Sequence, residues 1–561
     1  MNKRNVKVVF DVYEKKIEKY VDVKDSMTYE DLLKEYGGKI KSQVVLAKVQ
    51  NRLVELFERI DPHAKEIVFL DTSDVDGNRV YMRSLSYLFI TATNEILNDK
   101  SVVIEHTISE GLYCTIRQDG KIYNIDTNLK NAIKNKMLEF VRDKLKIEKL
   151  VFPVKEAIDL FKKQNRLDKI DLLKYRQKRY ISIYRLGDYY DYFYGHMVPS
   201  TEYLKSFDIE IFDYGIVLLG VDPKDKYKVK NFVPHYLLSD TYNEAEAWSE
   251  MQEITSISKL NKIIEEGRIG DVCRMSEDLQ QYKIMRIAQE IHSNNKRIIL
   301  IAAPSSSGKT SFAYKLTSSL RVLGLKPISI SLDDYYVNRV DTPLDENGNY
   351  DFEALESIDL DLFNKDLNDL MQAKPIERIR FDFLKGERVY TGEEIRLSGS
   401  DPVIIEGIHG LNPSLTRQID ERFKFRIYLS VITQINLDDH NRVATTDLRL
   451  LRRMARDKYF RGKDVRETIL EWKRVRQGEE KYIFPYQEQA DVMFNSSFTF
   501  DISALKPIVI DDIKAIAKKD PAYVEAARLK SFLQYFVSLE DTSDIVNTSI
   551  LREFIGGSKI I

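Results

Sequence analysis

From Val6 to Leu56 the hydrophobic and polar positions change period, and each change marks an element. Val6-Lys-Val-Val-Phe10 and the alternating run from Ile17 to Val23 predict two strands with a turn near Glu14-Lys15. Tyr29-Glu-Asp-Leu-Leu-Lys-Glu-Tyr36 has helical spacing and closes on Gly37-Gly38. Val44 to Val49 and Arg52 to Leu56 then alternate around Gln50-Asn51, so residues 1–60 read as a small ββαββ module with no catalytic constellation. Residues 241–292 are helical by spacing, Ala245 to Ile257 and Leu279 to Ile291, with breaks at Gly267 and Gly270, and form a connector. From Lys296 to about Ile502 strand and helix patterns alternate. The expected strands are Arg297–Ala302, Pro327–Leu332, Pro402–Glu406, Phe425–Leu429 and Asp491–Phe494, and Ser311 to Leu323 carries the helix after the first. This alternation predicts an α/β, doubly wound parallel sheet over residues 293–505, with ligands at the strand C-termini. Residues 506–561 read as helical and charged, from Ile508 to Leu539 and again near Ile545 to Ile555, with a packing or subunit-association role and no chemistry.

Length and charge narrow the function classes. A chain of 561 residues needs more than one core, three or four at about 150 residues each. With 86 basic and 88 acidic residues the net charge is −2, so no global pull draws the chain to nucleic acid or membrane, and any polyanion site is local. Cys114 and Cys273 have no pairing or CxxC pattern, and no run of about 18 apolar residues occurs, so the expectation is a cytoplasmic protein without a membrane span.

The chemistry concentrates after residue 297. Ala303-Pro-Ser305-Ser306-Ser307-Gly308-Lys309-Thr310-Ser311 stands between a predicted strand and a predicted helix, as a phosphate-binding P-loop does. Its backbone N–H groups and the helix N-terminus suit a β/γ-phosphate, Lys309 adds a point charge, and the Thr310 hydroxyl can ligate Mg²⁺. Ala303 stands where the pattern has glycine; if that position needs φ > 0, alanine costs about 1–2 kcal/mol there. Two further strand tips end on carboxylates, Asp333-Asp334 and Glu406, which can hold Mg²⁺ or accept a proton from an attacking hydroxyl. Arg449, Arg453 and Arg456 share a helical face ahead of Arg461-Gly462-Lys463, a spacing that predicts a basic lid closing over the triphosphate. The aromatic run Tyr184 to Tyr203, with Tyr189, Tyr190, Tyr192, Phe193 and Tyr194, could stack on bases, but it lacks interleaved cations and reads better as packing.

Three resemblances follow from these residues. Residues 1–60 resemble the TGS domain, a ubiquitin-like (β-grasp) fold found in threonyl-tRNA synthetases and stringent-response enzymes. Residues 61–240 are similar to the second additional domain of threonyl- and alanyl-tRNA synthetases through Met82 to Leu88, Ile104 to Cys114 and Asp191 to Pro199. That α+β domain edits mischarged tRNA with HxxxH and CxxxH metal ligands. Here Arg83, Tyr87, Phe193 and Met197 fill the four ligand positions, so neither zinc nor editing hydrolysis is expected, and His106 and His196 read as structural. Residues 293–505 resemble the uridine kinase and phosphoribulokinase family through the P-loop, Leu332 to Tyr336, Gly348 to Phe352, Ile405 to Gly410 and Asp447 to Lys463.

The last resemblance implies roles. Asp333, Lys309 and Arg461 would be catalytic, with Asp333 as the base. Ser305, Ser306, Ser307, Gly308, Lys309, Thr310, Ser311, Arg453, Arg456 and Lys463 would bind ATP. Asp351, Tyr336, Phe381 and Arg453 would bind the acceptor, Asp351 through ribose hydroxyls. Thr310, Glu406 and Asp333 would surround Mg²⁺. Lys463 replaces the arginine usual in uridine kinases; Phe381, in Arg380 to Phe383, replaces a tyrosine that frames the pyrimidine; and the base-contacting histidine maps near Gly386. The implied activity is ATP- and Mg²⁺-dependent phosphorylation of a nucleoside 5′-hydroxyl, the base left open. The alternatives are kinase action on another small hydroxylated metabolite and an ATP-gated RNA- or ribosome-associated regulator. RNA contact through the N-terminal half and homo-oligomerisation stay open.

Overall fold

The computed structural model describes residues 3–13, 15–24, 26–38, 40, 42–345, 348–382 and 385–560. Glu14 of the expected first turn and Phe383 of the acceptor motif lie outside the described residues.

The N-terminal sheet runs Lys15–Lys24, Lys3–Val12, Glu66–Asp71, Val44–Val49, Arg52–Val54. Lys3–Val12 and Glu66–Asp71 are parallel and the other pairs antiparallel, a β-grasp arrangement. The helix Tyr29–Tyr36 begins on a reciprocal Thr28–Asp31 capping box and stops at Gly37, whose N–H returns to the Leu33 carbonyl. Glu66–Asp71 is central to this sheet, so the sheet runs past residue 60, where the sequence reading placed its limit. Ile67, Phe69, Leu70 and Asp71 are all buried, and a nearly continuous buried run shows no period-two alternation to read.

A middle α+β region surrounds the helix Val75–Ile96, which Asp74 caps through the N–H groups of Asp76 and Gly77. Gly77 is required there: a Cβ would lie 1.9 Å from the Asp71 carbonyl oxygen. One sheet of this region orders Asp208–Phe212, Gly215–Leu219, Gly111–Gln118 and Ser101–Ile108, and a second orders Tyr189–Asp191, Tyr180–Leu186 and Ile147–Pro153. Three helices follow, Tyr236–Met251, Ile257–Glu265 and Ile269–Ser293. Gly267, at φ +68°, ends the second, whereas Gly270 is already inside the third, so the two expected breaks reduce to one.

The C-terminal half is built on a five-stranded parallel sheet in the order Ile328–Ser331, Val403–Glu406, Ile298–Ala302, Lys424–Ser430, Val492–Asn495. These are the five strands expected from the alternation. Ile298–Ala302 is buried throughout and sits in the middle, packed on one face against Phe312 and Leu316 and on the other against Phe363 and Leu367. The expected helix from Ile508 to Leu539 is two helices, Asp501–Ala515 and Tyr523–Leu533; the first ends where Ile516 turns extended, and Pro521 lies in the connection. A short turn of helix, Arg552–Ile555, ends the chain's regular structure.

Buried charges join the middle region to the C-terminal half. Lys169 Nζ lies 2.9 Å from both Asp191 and Asp438, all three inaccessible to solvent, and His440 also bonds Asp191. Arg166 holds Asp168 at 2.6 Å, and Asp168 in turn accepts the Asp439 N–H.

Candidate active site

The central strand delivers Ala303 to Ser307 to the sheet's C-terminal edge, and the helix Lys309–Val322 starts directly after Gly308. The left-handed residues of the loop are Ser306, at φ +63°, and Gly308, at φ +78°; Ala303 is not among them, so the expected strain at Ala303 does not arise. The Ser306 and Ser307 hydroxyls are buried without a hydrogen-bond partner among the described residues. Orphaned hydroxyls in a loop of inward N–H groups suit phosphate oxygens. Thr310 Oγ1 is 3.4 Å from both Glu406 carboxylate oxygens, and Lys309 Nζ is 3.5 Å from Glu406 Oε2. A hydroxyl and a carboxylate converging beside a phosphate loop are oxygen donors that fit Mg²⁺. Burial opposes the Lys309 charge, but Glu406, Asp333 and Glu553 outweigh it and hold this ammonium above its ordinary pKa.

The two aspartates at the next strand tip have different surroundings. Ser331 Oγ accepts the Asp333 N–H and starts a tight turn, Leu332–Tyr335. Asp334 then turns away to accept the Phe381 N–H at 3.4 Å, with burial pushing its carboxyl up. Asp333 stays close enough to Lys309 and Tyr336 for its charge to act on both, and no described side chain donates to it. That leaves the Asp333 carboxylate free for an incoming hydroxyl.

The expected acceptor residues fall into two pairings, Tyr336 with Phe381 and Asp351 with Tyr482, and the fourth, Arg453, reaches Ser305 of the loop. Tyr336 and Phe381 meet edge to face at 5.6 Å. Asp351 accepts the Tyr482 hydroxyl at 2.7 Å and the Glu353 N–H at 3.2 Å. His409 Nε2 donates to the Glu353 carbonyl at 3.0 Å, its ring 5.6 Å from that of Tyr482. Tyr482 carries no motif, and the sequence reading missed it. Tyr482→Phe should loosen Asp351 and raise the acceptor KM by roughly three- to tenfold with the ATP KM unchanged, measured by steady-state kinetics in both substrates.

Glu353 is unusual for a surface-loop carboxyl. Burial first, then the charges of Glu479 and Asp351, push it from the ordinary 4.5 up to about 7. A raised carboxyl pKa gives stability that is full below 4.5 and lost as the pH climbs through about 7. Glu353→Gln should therefore match the wild type near the lower limit and exceed it by roughly 1–2 kcal/mol at about pH 8, allowing for solvent screening; denaturant melts at both pH values check this.

The expected basic lid falls on the helix Thr445–Phe460, and its three arginines have different surroundings. Arg449 is buried and makes two 2.6 Å bonds to Glu479, whose Oε1 also accepts the P-loop Ser305 N–H at 2.9 Å. Arg449 is thus committed to holding the loop, which corrects its expected place on the phosphate-facing surface. Arg453 reaches the loop directly, donating to Ser305 Oγ at 2.9 Å. Burial, with the positive charge of Arg461 adding to it, pushes Arg456 down to about 10 and outweighs the opposing carboxylates of Asp457 and Glu553. Asp457, fully buried, faces Arg453, Arg456 and Arg461 at 3.3, 3.4 and 3.8 Å. Arg461 lies at the exposed end of the helix, and Lys463 bonds Glu471 at 2.7 and 2.8 Å. The structure therefore brings Ser305, Ser306, Ser307, Gly308, Lys309, Thr310, Glu406, Asp333 and Arg453 to one rim, with Arg456 behind them. Ser311, in the first turn of the helix Lys309–Val322, is buried, and its hydroxyl donates to Glu553 at 2.7 Å.

In the middle region, the four positions equivalent to editing-metal ligands also converge, with other chemistry. Tyr87 and Phe193 pack at 5.2 Å, Arg83 donates to the His196 carbonyl at 2.9 Å, and Met197 Sδ meets Ser84 Oγ. A guanidinium, a phenol, a phenyl ring and a thioether do not make a zinc site. Glu55, Glu58 and His196 bring potential ligand atoms within 4.8 Å of one another, but the Lys149 ammonium already stands against Glu55 at 2.6 Å and Glu58 at 3.6 Å. Burial, then Lys149 and Arg83, push His196 down to about 4, and burial pushes His106, stacked on Tyr242, to about 3. Tyr184, Tyr192 and Phe193 of the aromatic run are core residues, unavailable for base stacking.

Residues 298–503 match the Phosphoribulokinase / Uridine kinase family. This part of the chain is a phosphoribulokinase/uridine kinase family domain. The chain is 28% identical over 261 residues to a uridine kinase of Saccharomyces cerevisiae, covering 46% of each. It is 27% identical over 197 residues to a uridine kinase of Lactobacillus helveticus, covering 35% of this chain and 84% of that protein. Over its N-terminal region it is similar to threonine--tRNA ligases, 29% identical over 189 residues to that of a Sulfurihydrogenibium species. That match covers 33% of this chain and 29% of the ligase, so the chain spans less than a third of that relative and about half of the yeast one. No described helix is long and apolar enough to cross a membrane.

Proposed function

We propose that the chain is an ATP-dependent kinase that moves the γ-phosphoryl group to the 5′-hydroxyl of a nucleoside. The observation that carries this reading is the Asp333 carboxylate, which has no side-chain donor among the described residues, beside Lys309 and Glu406, with Asp351 set by Tyr482 on the acceptor side. In this reading the loop N–H groups, Lys309 and the hydroxyls of Ser306 and Ser307 orient the triphosphate. Asp333 accepts the proton of the attacking hydroxyl, Asp351 holds the sugar, and Tyr336 and Phe381 flank the base. Arg453, Arg456 and Arg461 balance charge on the transferring group, and the lid excludes water. Mg²⁺, held by Thr310 and Glu406 with Asp333 adjacent, would neutralise phosphate charge.

A phenyl ring at Phe381 offers no hydrogen bond to a base, so base selection should be broad. The test is a mass-spectrometric product assay with ATP, Mg²⁺ and a pool of nucleosides, sugars and sugar acids. A nucleoside monophosphate is expected. Phosphate appearing on another hydroxylated metabolite would replace the nucleoside assignment, and ATP binding with no phosphorylated product would favour the regulator.

A further inference from the structure

The C-terminal segment from Asp544 to Gly557 folds back onto the P-loop. Ile545, Ser549, Ile550, Leu551 and Phe554 are buried, and the apolar ones share a core with Phe312 and Leu316 of the P-loop helix and Met454 of the lid. Arg552 ties the segment into a compact turn by donating to the carbonyls of Thr542 and Ile545 at 2.7 and 2.6 Å. Phe554 lies under the Arg452 guanidinium at 4.9 Å.

This packing sets two side chains on the loop itself. Ile550 covers Gly308 so closely that a Cβ at that glycine would come within 2.3 Å of Ile550 Cγ2. Glu553 Oε2 accepts the Ser311 hydroxyl at 2.7 Å, and its charge also acts on Lys309 and Arg456. A hydroxyl from the first turn of the P-loop helix, the loop lysine and a lid arginine are the groups that receive phosphate oxygens in such a site. A carboxylate is the protein anion that can imitate one, and it repels a triphosphate brought to the same place.

We infer that the C-terminal segment is a built-in competitor for the P-loop, with Glu553 occupying the position of a phosphate oxygen and Ile550 closing the glycine face. It is an autoinhibitory contact: nucleotide enters as Glu553 leaves Ser311. The inference rests on the reading of this loop as a nucleotide site.

Glu553→Gln keeps the side chain's shape and removes its charge. Calorimetric titration of the full chain with a non-hydrolysable ATP analogue and Mg²⁺ should give a Kd about tenfold tighter in the variant than in the wild type. An unchanged or weaker Kd overturns the inference, the weaker value because Glu553 would then be helping to hold the nucleotide. Equal binding by both proteins leaves the nucleotide site standing without its competitor, whereas binding by neither removes the loop reading and the inference together. Should the variant fail to fold, the wild type decides: hydrogen exchange across Ile545 to Gly556 should rise on saturation with the analogue, and unaltered protection there refutes displacement.

Discussion

Asp333→Asn is expected to lower kcat by about a hundred- to ten-thousand-fold while the KM for ATP changes little. The neighbouring Asp334→Asn supplies the comparison. Both aspartates sit in one tight turn at one strand tip, yet Asp334 is spent on the Phe381 N–H whereas Asp333 faces Lys309 and Tyr336 with no described donor. Asp334→Asn should therefore cost far less, within about tenfold, by loosening the strand that carries Phe381. Lys309→Ala should instead weaken ATP binding by about tenfold or more, because it removes the cation that follows the loop and stands beside Glu406. Turnover of the acceptor identified by the product assay, with ATP binding measured separately by calorimetry, separates the three. Asp333→Asn retaining activity within a few-fold would end the assignment of Asp333 as base.

How much of this site could be read in the sequence depended on how far apart its partners lie in the chain. The five strands of the parallel sheet were legible because each is a short apolar or alternating run in a stretch that otherwise reads as helix and turn, and the P-loop is a local motif. Tyr336, Asp351 and Phe381 were placed through family motifs; Tyr336 meets Phe381, and Asp351 meets Tyr482, which no motif marked. Arg449 was misplaced because helical spacing says which residues share a face, not what the face meets. Its partner Glu479 comes from the following helix, Val465–Tyr482, and the resulting pair is nearly inaccessible to solvent. The same helix supplies Tyr482 to Asp351, so its last turn joins the donor loop to the acceptor side. Glu553 was invisible for the same reason: an acidic residue in a short C-terminal turn has no signature until the chain folds it onto Ser311. Glu66–Asp71 shows the complementary failure, a local element legible only once its position in the middle of a sheet explains why it does not alternate.

Lys169→Met should destabilise the chain by about 3–5 kcal/mol, the usual result of stripping a buried pair of one partner. Lys169 has no solvent access and donates to the Tyr192 carbonyl as well as to Asp191 and Asp438. Burial opposes its charge, but those two carboxylates prevail and raise its pKa. Without the ammonium, Asp191 keeps His440, the Tyr192 N–H and the more distant charge of Arg166, and two carboxylates face each other in a dry interface. Asp438 also accepts the N–H groups of His440 and Asn441 and so shapes the turn that leads to the lid helix at Thr445. The loss should therefore appear twice, as a lower denaturation midpoint and as a fall in phosphoryl transfer at temperatures where the chain remains folded. Lys169→Met combined with Asp438→Leu should recover part of the stability, since that pair removes one stranded charge, but not the transfer rate, because the turn before the lid stays unsupported. Stability within about 1 kcal/mol of wild type for Lys169→Met would mean that the charges between the middle region and the catalytic half do not hold the two together.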